Sequence, residues 1–245
     1  MNNSEKGHAK NLANAKLINS YITQLDKMYK PSNPGIAKDT LQSIYEDALA
    51  LHEKVSIALS PYKVAVTERE VLFVPLSKQV TKLKKAYKST EGVSAAQLDD
   101  FMTYARKIKG MRKTPKSQPD NPQEEAASHS VSQMSYDQRT NSFSELIDFL
   151  ETTPNYAPNE EEFSISTLKS QKDVMRLATE KVTNAFIPLN MARTDRNRRM
   201  YTDTDNLVGA YKTAKEYLLS ILETGSTMYK AVQKISFTKL AARKS

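Results

Sequence analysis

The 245-residue chain contains no cysteine, no tryptophan and only six glycines. The lack of cysteine excludes disulfide frameworks, thiolate zinc sites, iron–sulfur clusters and cysteine nucleophiles. So few glycines disfavour both Gly-rich phosphate loops and chains of tight β-turns. The remaining composition, 39% hydrophobic and 26% charged, is that of a chain with a real core.

Signals for export or membrane insertion are also missing. The N-terminus lacks the basic-then-apolar run of a secretory signal. The most apolar stretch, 55–76, is interrupted by Lys63, Glu68, Arg69 and Glu70, whereas a membrane-spanning helix needs about 20 apolar residues. We therefore expect a cytoplasmic protein, with export by a specialised secretion system left open.

Patterns that carry chemistry are sparse. His8, His52 and His129 have no spacing that converges on a metal. Residues 203–206 begin like a calcium loop but lack its turn glycine, and Ala214 stands where a bidentate glutamate is required, so we interpret them as a helix start. We expect no catalytic residue, cofactor, metal or small-molecule ligand. The alternative is an active site assembled from scattered residues.

Apolar residues recur at steps of three and four almost throughout, which predicts an all-α fold. A first helix is predicted over 9–29. Pro61 and Pro75 are expected to kink or break the long helix that follows, and Pro188 raises the same question later. That helix carries a strict 3-4-3-4 seam typical of lengthwise packing: Leu41, Ile44, Ala48, Leu51, Val55, Ala58 and Tyr62. Three capping pairs predict further helix starts: Asp39 with Gln42, Ser94 with Gln97, and Ser142 with Glu145.

The second half of the chain repeats the first at a shift of 127 residues, with about 17 identities in about 80 aligned positions. The densest block aligns 53–69 with 180–196. We therefore predict two tandem helical repeats, 1–111 and 141–245, joined by a flexible Pro/Ser/Gln-rich linker over 112–140. Packed together, they would form one elongated antiparallel helical bundle with a pseudo-twofold axis.

Positive charge is concentrated in two places. The formal net charge is +8, and 78–116 alone holds eleven Lys/Arg against three acids. A second basic run, 193–199, aligns partly with the apolar residues 71–74 of the first copy. The candidate binding patch comprises Lys78, Lys82, Lys84, Lys85, Lys88, Lys107, Lys109, Arg112, Lys113, Arg193, Arg196, Arg198, Arg199 and Tyr201.

Two interpretations of the first basic segment, 78–116, stay open. It is either a phosphate-contacting surface or a solvated helix face that docks on the chain's own acidic segment, 145–162. The second run is either an acquired binding face or the result of one helix copy lying at the centre of the bundle and the other at its periphery. If it is a binding face, replacing Arg198 and Arg199 by glutamate leaves helicity and melting nearly unchanged while weakening a partner.

The C-terminal stretch contains 192–197 (Ala-Arg-Thr-Asp-Arg-Asn), Tyr201, 206–208 (Asn-Leu-Val), 229–230 (Tyr-Lys) and 235–237 (Ile-Ser-Phe). Through these residues the chain resembles uncharacterised helical tandem-repeat proteins of Bacteroidetes-type bacteria. The resemblance implies a bacterial source and an all-α repeat fold, and it implies no activity or site residue.

These features favour a non-enzymatic scaffold or adaptor that acts through protein–protein interaction, with another protein or a second copy as partner. One alternative is a nucleic-acid-associated protein that uses basic helix faces without sequence preference. A membrane-active helical protein is the least favoured interpretation, because only 55–76 supports it.

Overall fold

The computed structural model describes the backbone of residues 3–111 and 135–239 and the side chains from Gly7 onward within these ranges. No β-strand occurs in this part of the chain, which confirms the all-α prediction. Its helices are α1 (Asn3–Leu25), α2 (Lys38–Phe73), α3 (Leu76–Lys88), α4 (Ala95–Lys109), α5 (Tyr136–Glu151), α6 (Ile165–Asn197), α7 (Leu207–Ile221) and α8 (Thr227–Lys234). Short 3-10 turns cover Asp26–Met28, Pro34–Ile36 and Glu161–Phe163, and a π-helical turn covers Arg198–Thr202.

The prolines act differently according to their position. The helices α2 and α6 continue through Pro61 and Pro188, so neither proline breaks its helix. An internal proline costs about 3 kcal/mol, which the buried stripe of a long helix offsets. Pro75 does mark a break, since α2 ends at Phe73 and Pro75 directly precedes α3. A proline is tolerated there because the first amides of a helix have no intrahelical partner.

The three capping patterns predicted the start of α4 correctly, that of α2 to within one residue, and that of α5 wrongly. The capping box of Ser94 and Gln97 is present at the start of α4, which ends at Gly110 in a left-handed conformation with φ 70°. The predicted start at Ser142 is wrong, because Ser135 caps α5 and accepts a hydrogen bond from the Gln138 amide. The helix predicted at Asp39 is present, but α2 begins at Lys38, so Asp39 lies in its first turn and is not its capping residue. Residues 136–140 of the predicted linker are thus helical, and its remainder up to 134 lies outside the described residues.

The chain divides into two compact units. The terminal unit comprises 1–61 and 186–245, and the central unit comprises 62–185. The division therefore falls inside α2 and α6, at other places than the predicted repeat boundaries at 111 and 141.

The core of the terminal unit joins the apolar stripe of α1 to α2 and α7. Its buried members include Leu12, Ala15, Ile18, Ile22, Leu41, Ile44, Ala48, Leu207, Tyr211, Ala214 and Leu218. The Tyr211 hydroxyl lies 2.8 Å from two acceptors, the Asn19 Oδ1 atom and the Leu41 carbonyl oxygen, which share its single proton. Burial raises the pKa of Tyr211 well above its usual range.

The core of the central unit is formed by α3, α4, α5 and the start of α6. Its buried members include Leu76, Val80, Leu83, Tyr87, Phe101, Ala105, Ile108, Phe143, Leu146, Ile147, Leu150 and Leu168. Arg139 closes one end of this core, because its Nε donates to the Ile108 carbonyl at 3.1 Å and its Nη2 to the Phe73 carbonyl at 3.2 Å. A cation at these carbonyls satisfies acceptors that the ends of α4 and α2 leave open.

Candidate functional site

The helix α3 divides its side chains cleanly between core and solvent. Leu76, Val80, Leu83 and Tyr87 are fully buried. Lys78, Lys82 and Lys85 are exposed, and their i, i+4, i+7 spacing places them on one side of the helix. The helix contains no acidic residue. All charged residues of this 13-residue amphipathic helix are thus cationic.

A fourth lysine joins this face from the neighbouring helix. The Lys109 Nζ atom, in the last turn of α4, donates to the Thr81 Oγ1 atom at 2.8 Å. Thr81 is exposed and lies one turn from both Lys78 and Lys85. We call Lys78, Lys82, Lys85 and Lys109 the lysine face. The fold brings together residues that are up to 31 positions apart in the sequence.

Little negative charge neutralises the lysine face. The Lys82 Nζ atom lies 3.8 Å from Glu162 Oε1, and both side chains are more than half exposed. Such a long, solvated ion pair contributes little. Among the described residues, no carboxylate oxygen lies within 4.0 Å of the ammonium groups of Lys78, Lys85 or Lys109.

The rest of the first predicted patch is dispersed. The Lys107 Nζ atom pairs with Glu145 Oε2 at 3.1 Å, so Lys107 points to α5. The interpretation in which basic residues dock on the acidic segment 145–162 therefore describes Lys107 and, at long distance, Lys82. Lys84 is half-buried and Lys88 lies exposed in the last turn of α3. Arg112 and Lys113 lie outside the described residues.

In the second basic run, Arg199 serves the fold of the terminal unit. Its side chain is only 13% exposed. The Nη2 atom lies 3.0 Å from Asp47 Oδ2 on α2, and the Nη1 atom lies 2.9 Å from Asp205 Oδ2, just before α7. The hydrogen bond and the charge of Arg199 hold the pKa of Asp205 below its usual range. This guanidinium joins two parts of the unit and is not available to a partner.

Most of the other residues of this run are also turned inward. Arg196 is 2% exposed and donates to the Asn197 Oδ1 atom. The Tyr201 hydroxyl lies 2.8 Å from His8 Nδ1 and accepts from Asn11 Nδ2 at 3.2 Å. Arg193 is half-buried, and Arg198 is exposed between Asp195 and Asp203. The run is therefore not an open cationic surface.

An exposed apolar strip on α2 was not singled out as a site from the sequence. Val64 is 51% exposed and Val71 is 66% exposed. Together with Thr67 and Leu72 they line a shallow groove that is bordered by Lys63 and Glu68. The strip lies on the side of α2 opposite the predicted seam, and the seven-residue spacing of the two valines was its only signal.

Within the part of the chain that the structure describes, no three His, Cys, Asp or Glu side chains are grouped so that they could hold a metal ion. None of the described helices is long and apolar enough to cross a membrane.

No protein-family model, curated protein or solved structure matches the chain. The resemblance to helical repeat proteins of Bacteroidetes-type bacteria accordingly stays a prediction.

Proposed function

We propose that the protein is a non-enzymatic scaffold that acts through protein–protein contacts, and that the α2 strip of Val64, Thr67 and Val71 binds a second copy of the chain. The observation that carries this proposal is a pair of exposed valines, seven residues apart, flanked by Lys63 and Glu70. Neither of these two charged residues has an ion pair within the part of the chain that the structure describes.

The apolar part of the strip has the spacing of a helix–helix contact. Val64 and Val71 are separated by two helical turns, about 10.5 Å along the axis. A spacing of seven keeps both side chains on one line when two helices coil around each other, and Thr67 lies between them at the intermediate position. Exposed apolar groups that line a common groove mark interaction sites more often than scattered ones do.

The charges beside the strip favour a second copy as the occupant. Lys63 and Glu70 lie on the same flank of the strip, because they too are seven residues apart. Among the described residues, neither has an oppositely charged group within 4.0 Å. A second α2 packed antiparallel about a twofold axis places Lys63 of each copy against Glu70 of the other. The same surface thus carries both the positive and the negative partner that a symmetric dimer needs.

Charge-swap variants test this arrangement by sedimentation velocity. Lys63→Glu and Glu70→Lys each place like charges opposite one another at two symmetric positions of the dimer. Each variant is therefore expected to raise the dissociation constant of the dimer at least tenfold. The double variant K63E/E70K restores opposite charges and is expected to restore the dimer. Lys16→Glu, an exposed change on α1, is the control and leaves association unchanged.

Two results would overturn the proposal. One is a wild-type chain that stays monomeric at about 100 µM, well above the Kd of a functional scaffold contact. The other is a double variant K63E/E70K that stays monomeric although each single variant has lost the dimer.

We also infer that the two halves of the chain arose by duplication. The shift of 127 that aligns their sequences also aligns local structure, since α2 begins at Lys38 and α6 at Ile165. The Tyr29 hydroxyl donates to the Ile36 carbonyl at 2.7 Å, and the Tyr156 hydroxyl donates to the Phe163 carbonyl at 2.9 Å. Each unit then combines the first part of one repeat with the last part of the other. The antiparallel bundle of the two repeats stays a prediction.

A further inference from the structure

We propose that the lysine face binds the phosphate backbone of double-stranded nucleic acid without reading its sequence. This inference goes beyond the scaffold function. It uses none of the residues assigned to the second copy.

The spacing of the lysine face suits a polyphosphate. Lys78 and Lys85 are about 10.5 Å apart along the axis of α3. A strand of duplex DNA carries a phosphate about every 3.4 Å along its axis, so about three phosphates pass within that span. Lys109 adds a fourth ammonium group beside Thr81. The lysine side chains are flexible, so each ammonium group can reach a phosphate, with which it interacts as a point charge.

The chemistry of this face disfavours a protein or a membrane as its partner. Protein interfaces are depleted in lysine and have an apolar centre. The lysine face instead has the polar residue Thr81 at its centre. Helices that lie on membranes insert their apolar side, but Leu76, Val80, Leu83 and Tyr87 of α3 are buried in the core.

The same face favours duplex over single-stranded nucleic acid. Single-strand binding proteins hold unpaired bases on exposed aromatic side chains. Tyr87 is fully buried and stacks on Phe101 with ring centroids 5.1 Å apart, and Tyr104 packs against Phe149 at 5.5 Å. The face also contains no arginine, the residue that most often reads guanine in the major groove. We therefore expect the lysine face to contact the phosphate backbone of a duplex without recognising its bases.

Fluorescence anisotropy with two 18-base-pair duplexes of unrelated sequence tests the proposal. Four phosphate contacts predict a slope of about −3.6 for log affinity against log salt, a loss of about a hundredfold between 50 and 200 mM salt. The triple variant K78Q/K82Q/K85Q is expected to keep a slope of only about −0.9. A control with the same change of charge, K16Q/K54Q/K212Q, removes exposed lysines of the terminal unit and keeps the wild-type slope.

Several outcomes would overturn the proposal. They are no binding at 50 mM salt, tighter binding to single strands, or a clear preference for one duplex sequence. An equal loss of slope in the control would show that net charge acts rather than this face. Lysine-dependent binding to phosphatidylserine vesicles at higher affinity than to duplex would assign the face to a membrane.

The variant V64E/V71E, which the scaffold proposal expects to be monomeric, separates this inference from that proposal. It is expected to keep the wild-type salt slope for each chain, because the strip and the lysine face share no residue. Loss of duplex binding in this variant would instead make the lysine face dependent on the dimer and would contradict an autonomous site.

Discussion

The two basic segments of the chain differ in where their charge is used. In the central unit, α3 carries five lysines and no acid, and three of these lysines form an exposed row. In the terminal unit, Arg199 is held between Asp47 and Asp205, and Arg196 is buried. Similar local charge therefore gives an open cationic face in one unit and an internal polar junction in the other. The difference arises because acidic residues lie in and next to the second basic run, whereas α3 has none. The second run also uses arginine, whose planar guanidinium suits ion pairs of fixed geometry.

The largest expected effect separates Arg199 from its neighbour. Arg199→Glu removes a largely buried guanidinium from two solvent-exposed carboxylates and places a third carboxylate between them, so we expect the free energy of unfolding to fall by about 1–2 kcal/mol. Arg198→Glu, at a side chain that is 65% exposed, is expected to change it by less than about 0.5 kcal/mol. Urea unfolding measures both.

Equal losses of unfolding free energy in the two variants would show that Arg198 and Arg199 do not differ in their importance for stability. The outcome also decides the expectation, drawn from the sequence, that changing both arginines spares stability. The contacts of Arg199 now predict that the double variant unfolds more easily, and Arg199→Glu alone is expected to account for nearly the whole loss.

The tyrosine bonds test where the two units are alike. Tyr29→Phe and Tyr156→Phe each delete one hydrogen bond to a carbonyl seven residues ahead and are expected to cost about 1 kcal/mol each. Duplication predicts similar losses. A loss confined to one unit would show that the two bonds have different structural importance.

These tyrosines also predict a response to alkaline pH. Burial raises the pKa of both Tyr29 and Tyr156 to about 12. The charges of Tyr217 and Glu160, respectively, add to this rise. Because the unfolded pKa is about 10, their contribution is complete below pH 10 and is lost as the pH rises towards 12. Urea unfolding between pH 9 and 12 is expected to show a shallower loss in Y29F/Y156F. An unchanged slope would contradict this.

The smallest expected effect concerns the lysine face itself. The variant K78Q/K82Q/K85Q removes charges that have no close internal partner except the long pair of Lys82 with Glu162. We expect its free energy of unfolding to stay within about 0.5 kcal/mol of wild type. A larger loss, measured by urea unfolding, would make these lysines structural and the two basic segments alike.

Periodicity was sufficient for the fold class and for much of the core. The seam residues Leu41, Ile44, Ala48 and Val55 are buried, because a 3.6-residue repeat reports a buried helix face. The other predicted seam residues, Leu51, Ala58 and Tyr62, are only half-buried. The start of α5 was missed because Ser135 and Gln138 also match the capping pattern that pointed to Ser142. Whether the helices continue through Pro61 and Pro188 could not be decided from the sequence, because packing over a whole helix can outweigh one lost amide.

The candidate site was only partly predictable. The sequence located the lysines of α3, but Lys109 joins them through a contact with Thr81 that only the packing of α4 on α3 creates. The inward role of Arg199 depends on Asp47, 152 positions away, which no local pattern reports. Charge density thus located basic segments, and tertiary pairing decided which of them faces solvent.

Lysine acetylation footprinting by mass spectrometry tests most directly whether the lysine face is open and binds duplex nucleic acid. In the free protein, Lys78, Lys82 and Lys85 are expected to react as fast as Lys16, Lys54 and Lys212, which are also exposed. Addition of duplex at 50 mM salt is expected to protect the first three and leave the others reactive. Equal protection of both sets, or none at all, would contradict the account.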